Sequence, residues 1–310
     1  MVKALSLATL LFAARTAGGQ VVADSAQDFP SASLPPGCSQ CASYSYPGTW
    51  PPGMTCGMSA PAQPVNGWYY GYFGSTPTSA ASFTQFANFD CLPGFGLTQN
   101  PNPNWHFAWD YPLSGSPSAV SGNTGVINRN TQAPNGDGTA GPATHGSTVE
   151  VWPVRRWVNS SARLLSVRVL TAMTIQPNNG NGVNCYAYLH RGSNTSVVWS
   201  RELAHDSGLT ADCFYIEAEA DDVIDFAVDP KESNSIYDDT LFQIVIRAVT
   251  STCARADANN DCLVDGDDIS EFIACYFASP PCPDADFDGD ADVDPDDLAD
   301  FVATHFDCET

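Results

Sequence analysis

Phe214-Tyr215-Ile216-Glu217-Ala218-Glu219-Ala220 alternates closely enough to decide the fold: the glutamates fall on one face of an extended chain, the apolar side chains largely on the other. Alternation with a period of two belongs to an antiparallel strand with one face in a core and one in water. Similar runs rich in Val, Ile, Tyr, Phe and Trp stand on either side, separated by Gly and Pro. They cover Val21 to Ala23, Trp68 to Phe73, Trp105 to Asp110, Thr148 to Val158, Leu164 to Ile175, Cys185 to His190, Ser196 to Leu203, Asp222 to Val228 and Leu241 to Val249. With Cys213 to Ala220 this makes about ten strands and no helix between them. The expectation is a mainly β fold, an antiparallel, jelly-roll-like β-sandwich over residues 20–250.

Composition narrows the class. In 310 residues, 43% apolar, there is material for a real core, so wholesale disorder is excluded. The formal net charge of -23 makes nucleic acid and anionic membrane poor partners. Residues 251–310 hold 17 of the 35 acids and only one of the 12 bases, a balance suited to cations. Residues 1–19 read as a signal peptide: Lys3, an apolar run from Ala4 to Ala14, and Ala17-Gly18-Gly19 before a cut at Gln20, with Arg15 irregular. That run is too short to span a bilayer and no other is longer, so no membrane span is expected. Export to an oxidising space suits the 11 cysteines, expected to be mostly disulfides with at least one left over.

Helical periodicity begins only after Thr250. Asp265-Gly-Asp-Asp-Ile-Ser-Glu-Phe-Ile-Ala-Cys-Tyr-Phe277 recurs 29 positions later as Asp294-Pro-Asp-Asp-Leu-Ala-Asp-Phe-Val-Ala-Thr-His-Phe306. Ile269, Phe272, Ile273 and Tyr276 mark one helix face, matched by Leu298, Phe301, Val302 and His305. Before each helix stands a string of oxygen ligands at positions 1, 3, 5, 7, 9 and 12 of a calcium loop. The first is Asp257, Asn259, Asp261, Leu263, Asp265 and Asp268; the second is Asp286, Asp288, Asp290, Asp292, Asp294 and Asp297. Ca²⁺ takes six to eight hard oxygens, which this spacing supplies, position 7 through its backbone carbonyl. Two Ca²⁺ are therefore expected, with metal binding coupled to folding of residues 251–310. Position 6, where such loops carry Gly, is Cys262 or Ala291, and position 12 is the shorter Asp. Val264 and Val293 at position 8 are expected to join the loops in a short β-bridge.

This duplicated loop and helix, residues 253–308, resembles a dockerin, the calcium-loaded module by which secreted bacterial proteins dock onto a cohesin. The resemblance implies a cohesin-like or other extracellular protein partner. Where cellulosomal dockerins carry Ser/Thr-type recognition pairs, at loop positions 10 and 11, this chain has Gly266-Asp267 and Pro295-Asp296. The pseudo-twofold of such a fold implies Cys275–Cys282 and Cys253–Cys308 disulfides with Cys262 unpaired; a local Cys253–Cys262 bridge is the rival. Residues 21–249 resemble an uncharacterised β-sandwich module of large secreted bacterial proteins. The matching stretches are Val21 to Phe29, Trp68 to Tyr72, Val154-Arg-Arg-Trp-Val158, Asp222 to Pro230 and Asp239-Thr240. That match implies a fold, not an activity.

Residues 30–64 interrupt the sandwich as a Pro-rich insertion with Cys38, Cys41 and Cys56, a stapled loop more than a redox or zinc motif. Its Tyr44, Tyr46 and Trp50 have little core to occupy and are the candidate glycan contacts. Trp68, Tyr70 and Tyr72, like Trp105, Phe107 and Trp109, share a strand face, where core packing competes with sugar stacking. Asp229, Asp238 and Asp239 could hold a cation or simply form turns. Asn159-Ser-Ser161 and Asn194-Thr-Ser196 fit glycosylation sequons, a pattern common by chance. Catalytic constellations are missing: His106, His145, His190 and His205 are scattered, and no nucleophile elbow, zinc-protease or phosphate-loop motif occurs. The sequence thus reads as a secreted, non-catalytic binding or display module, with polysaccharide a candidate ligand, attached to a calcium-dependent docking module. The alternatives are a polysaccharide-degrading enzyme carrying a dockerin, or a structural component of a cell surface or matrix.

Overall fold

β-Branched and aromatic residues on alternating positions build the strands, and the inward half of each alternation builds the core. The computed structural model of the chain describes residues 20–29, 62–86, 88–92, 106–111, 124–128, 131–133, 150–173, 182–204, 207–231 and 240–309. The strands in chain order are β1 Gln20–Asp24, β2 Trp68–Phe73, β3 Thr84–Gln85, β4 Asn88–Leu92, β5 His106–Tyr111, β6 Thr124–Asn128 and β7 Thr131–Ala133. They continue with β8 Trp152–Val158, β9 Arg163–Met173, β10 Val183–Arg191, β11 Asn194–Leu203, β12 Thr210–Ala218, β13 Val223–Asp229 and β14 Thr240–Val249. Three helices follow: α1 Ser251–Ala256, α2 Gly266–Tyr276 and α3 Pro295–Glu309. None of the described helices is long and apolar enough to cross a membrane.

The strands pair antiparallel in two sheets. One runs β12-β9-β14-β7-β6-β5-β4, with β1 also on β14; the other runs β11-β10-β13-β8-β2-β3. The two longest ladders of the first sheet join β9 to β14, from Thr240↔Met173 to Val249↔Leu164, and β9 to β12. The other edge of β14 is shared, β7 pairing with Thr240 and Leu241 and β1 with Val245 to Ala248. Gly71 is required where β3 joins β2, because a Cβ there would lie 2.2 Å from the Thr84 carbonyl oxygen.

Between the sheets lies the main core. Leu165, Val167, Val169, Ile216, Phe242, Ile244 and Ile246 of one sheet meet Trp68, Tyr70, Trp157, Ile224, Phe226 and Val228 of the other. Phe226 and Phe242 cross the layer edge to face, 6.4 Å apart at 78°. Trp68 and Tyr70 have no exposed surface and Tyr72 packs against the same core. Core packing, not ligand stacking, therefore accounts for this aromatic row. Asn159, too, is fully buried, its amide donating to the carbonyls of Ser161 and Glu219, so the first sequon is closed to modification.

The turned-away face of the six-stranded sheet carries a second apolar cluster of Phe73, Trp152, Val154, Tyr188 and Ala227. Across this face Tyr69, Arg156, Asp225 and Tyr188 lie in register. Asp225, with no exposed surface, accepts two hydrogen bonds from Arg156 at 2.7 Å and one from His190 Nε2 at 2.8 Å.

Beyond the sandwich, α2 and α3 pack through Phe272, Phe287 and Phe301, the Phe272 and Phe301 rings stacked at 3.9 Å. Disulfides Cys253–Cys308 and Cys275–Cys282 form as the pseudo-twofold implied. Cys262, expected to be unpaired or bonded to Cys253, is instead bonded to Cys213 of β12, 49 residues earlier. The reason is the outward face of β12, which is not wholly wet: Cys213 and Tyr215 on it meet the first acidic loop, while Glu217 stays exposed. Val264 and Val293, expected to join the loops in a β-bridge, form none. The loops are tied instead by His305, whose Nε2 donates to the Asp265 carbonyl at 2.6 Å, and by Arg255, which donates to the Asp286 carbonyl at 3.1 Å.

Candidate metal centre

Each acidic loop is a chain of aspartate and asparagine side chains turning back on backbone N–H groups, which is why the loops coil without regular structure. Most of these bonds recur at the same positions in both; position 1 also accepts from position 5 in the first loop and from position 4 in the second, where position 12 accepts from position 2 as well. The position-12 carboxylate accepts from positions 3 and 9: Asp268 from Asn259 and Asp265 at 3.1 and 2.8 Å, Asp297 from Asp288 and Asp294 at 3.1 and 2.8 Å. Position 3 accepts from position 5 and position 5 from position 7, through Asn259, Asp261 and Leu263 in one loop and Asp288, Asp290 and Asp292 in the other. Position 1 accepts from position 6, Asp257 from Cys262 at 2.8 Å and Asp286 from Ala291 at 3.1 Å. Asp265 also caps α2, with Asp268 completing a capping box.

Position 6 takes the left-handed backbone that such a turn demands, although neither residue is glycine: φ is 63° at Cys262 and 79° at Ala291. An L-residue held there costs about 1–2 kcal/mol relative to glycine.

The loops differ in their surroundings. Asp257 is buried, at 3% exposure, and receives the Tyr215 hydroxyl; Asp286 is half-buried and bonded by the backbone of Gly289 and Ala291. Burial, with the nearby charge of Asp261, pushes the Asp257 carboxyl up against the pull of those hydrogen bonds. Asp268 is pushed up for the same first reason, burial, while in the second loop the charge of Asp290 raises Asp292. Three backbone donors outweigh burial at Asp297 and hold it low.

Carboxylate oxygens of Asp286, Asp288 and Asp290 lie within 4.8 Å of one another, as do those of Asp292, Asp294 and Asp297. A third grouping, Cys213, Asp257 and Cys262, offers no thiolate because its cysteines are bonded to each other. The donor set is hard oxygen throughout, which fits Ca²⁺ and disfavours softer metals. Sequence reasoning missed Tyr215 and Cys213 as neighbours of the loop. Their signal was there: both sit on the glutamate face of β12, where an apolar ring and a cysteine have no reason to meet water.

Tyr44, Tyr46 and Trp50 lie outside the described residues, as do Trp105, Asp238 and Asp239. Asp229 accepts from the Asn184 amide at 3.2 Å and from the Lys231 backbone at 2.9 Å.

No family model matches the chain, and no curated protein matches it. Among solved structures, the enzymatically active domain of tailspike protein 4 of bacteriophage CBA120 aligns at 8% identity and a TM-score of 0.25, over 59% of this chain and 19% of that one. The C-terminal CBM6 of a marine laminarinase from Zobellia galactanivorans aligns at 13% and 0.23, over 45% and 87%. An isomalto-dextranase of Arthrobacter globiformis T6, complexed with panose, aligns at 10% and 0.24, over 58% and 23%. The chain thus spans about a fifth of the first and third of these, and likeness this distant carries no functional weight.

Proposed function

We propose that this is a secreted protein of two modules, a non-catalytic β-sandwich that binds carbohydrate and a dockerin-like segment that two Ca²⁺ ions hold in shape for an extracellular protein partner. The observation that carries the second half is that the two acidic loops repeat the same side-chain-to-backbone bonds at positions 1, 3, 5 and 12. Asp257, Asn259, Asp261, Asp265 and Asp268 would hold one ion with the Leu263 carbonyl, and Asp286, Asp288, Asp290, Asp294 and Asp297 the other with Asp292. Bound Ca²⁺ supplies no chemistry of reaction here; it neutralises converging carboxylates and ties each loop to its helix. Three disulfides among the described residues support an oxidising, extracellular setting. Calorimetric titration of the metal-stripped chain should give two Ca²⁺ per molecule, and Asp257→Ala or Asp286→Ala should each abolish one. Binding stoichiometry unchanged in both variants would refute the reading.

The carbohydrate half rests on the inserted loop, whose disulfide staples would present Tyr44, Tyr46 and Trp50 with little ordering entropy left to lose. In affinity electrophoresis through gels cast with plant, algal or bacterial polysaccharides, the parent should be retarded and the triple alanine variant should not. Equal retardation of both would place binding elsewhere. Release of reducing ends from the same polysaccharides would favour a degrading enzyme instead.

A further inference from the structure

The sandwich does more than sit beside the first acidic loop. Cys213, Tyr215 and Glu217 project from the outward face of β12, opposite Ile216 and Ala218, which are 4% and 3% exposed in the core. The Tyr215 hydroxyl donates to Asp257 Oδ2, the same oxygen that accepts the Cys262 N–H at 2.8 Å. Two positions up the strand, Cys213 is bonded to Cys262, with 5.4 Å between the Cα atoms. Cys262 is the position-6 residue and is 2% exposed; its counterpart Ala291 is exposed. The carboxylate of Asp286, the counterpart of Asp257, receives backbone N–H groups and no side-chain donor among the described residues. The sandwich thus holds one loop at its first and sixth positions, while the first residue of the other is held from outside the loop through its backbone carbonyl, by Arg255.

We propose that Tyr215 is a positioning residue for the first cation site, and that with the Cys213–Cys262 disulfide it makes the β-sandwich a structural part of that site, leaving the second loop to fold on its cation without a side chain of β12. The proposal rests on the calcium reading above and divides its two sites into unequal kinds. The physical basis is preorganisation. Tyr215 fixes the orientation of the Asp257 carboxylate, and the disulfide holds the left-handed turn at Cys262 that an L-residue resists. Ordering that the second loop must complete when its cation arrives is already complete in the first. Hydrogen-bond partners behind a metal ligand commonly govern affinity by about 10–100-fold. The first site should accordingly be the tighter one, and its occupancy should be felt by β12 and, through the β12–β9 ladder, by the core.

The experiment uses the full chain, stripped of metal and titrated with Ca²⁺ in a calorimeter, as parent, as Tyr215→Phe, and each again with Asp286→Ala to isolate the first loop. Tyr215→Phe keeps the ring and removes only the hydroxyl. Expected is a loss of about 10–100-fold in affinity at one site, the other unchanged, and the same loss in the Asp286→Ala background. Thermal melting supplies a second readout: Tyr215→Phe should shrink the rise in melting temperature that Ca²⁺ produces. A merely structural link would lower the melt with and without metal alike and leave that rise intact. Affinities unchanged at both sites, equal weakening of both, or an undiminished calcium-induced rise would each overturn the proposal. A parent that binds no Ca²⁺ at all would overturn the calcium reading itself, and is distinguished by failing before any variant is compared.

Discussion

Asp225→Ala should destabilise the sandwich by about 3–5 kcal/mol, because it removes the fully buried carboxylate that pairs with Arg156, whose side chain is only 13% exposed. Asp225 has no exposed surface and accepts from Arg156 Nε and a terminal guanidinium nitrogen, both at 2.7 Å, and from His190 Nε2 at 2.8 Å. An ionised carboxylate only accepts, so His190 carries its proton on Nε2, and its Nδ1 faces the Thr195 hydroxyl at 2.9 Å. Arg156 would keep a bond to the Ala80 carbonyl at 2.8 Å and its place over the Phe83 ring at 4.1 Å, neither of which balances the charge. For a domain of this size the loss corresponds to a fall in melting temperature of roughly 10 °C. Adding Arg156→Met should recover much of it, since an apolar pair of similar volume removes both desolvation costs. Urea unfolding followed by tryptophan fluorescence would measure all three proteins. A single variant within about 0.5 kcal/mol of the parent, the size of an ordinary surface change, would mean that water reaches Arg156 and takes over from the lost carboxylate.

That network marks the border of what the amino-acid order made legible. The alternation of Phe214 to Ala220, the run Trp68 to Phe73 and the long segment ending at Val249 each carry enough periodic residues to announce a strand, and β12, β2 and β14 stand there. Thr84–Gln85, Asn88–Leu92, Thr124–Asn128 and Thr131–Ala133 do not. Two to five residues hold at most two periods of an alternation, and these take their extended form from the neighbouring strand. In the acidic segment the reverse holds: a fixed spacing of short oxygen-bearing side chains dictates its own turns, so both loops were legible residue by residue. The Cys213–Cys262 bond was not, because it depends on which face of β12 the segment meets. Charged residues within apolar runs were the overlooked clue. Arg155 and Arg156 stand side by side on opposite faces of β8, and Asp225 interrupts the run Val223 to Val228, a pattern that a strand tolerates only where the charges find partners.

Phe301→Ala should have the largest effect on residues 251–310. Phe301 has no exposed surface; its ring stacks on Phe272 at 3.9 Å and meets Phe287 edge to face at 5.5 Å. Truncating a buried phenylalanine costs about 3–5 kcal/mol, and a core of three such rings has few neighbours able to close the cavity. A module of some sixty residues seldom has more stability than that from its apolar core alone. With Ca²⁺ saturating, the variant should therefore lose most of the helical far-ultraviolet signal of α2 and α3, while the near-ultraviolet signal of the sandwich aromatics persists. Chelator added to the parent should bring the helices to the same end point, because converging carboxylates without a cation oppose the same packing that the missing ring weakens. The Cys253–Cys308 and Cys213–Cys262 bonds keep the unfolded segment tethered, so dichroism and hydrogen exchange in α2 and α3, not size, are the measurements that decide. Helices that survive both the truncation and the chelator would show that the disulfides, and neither the rings nor the cations, hold this segment together.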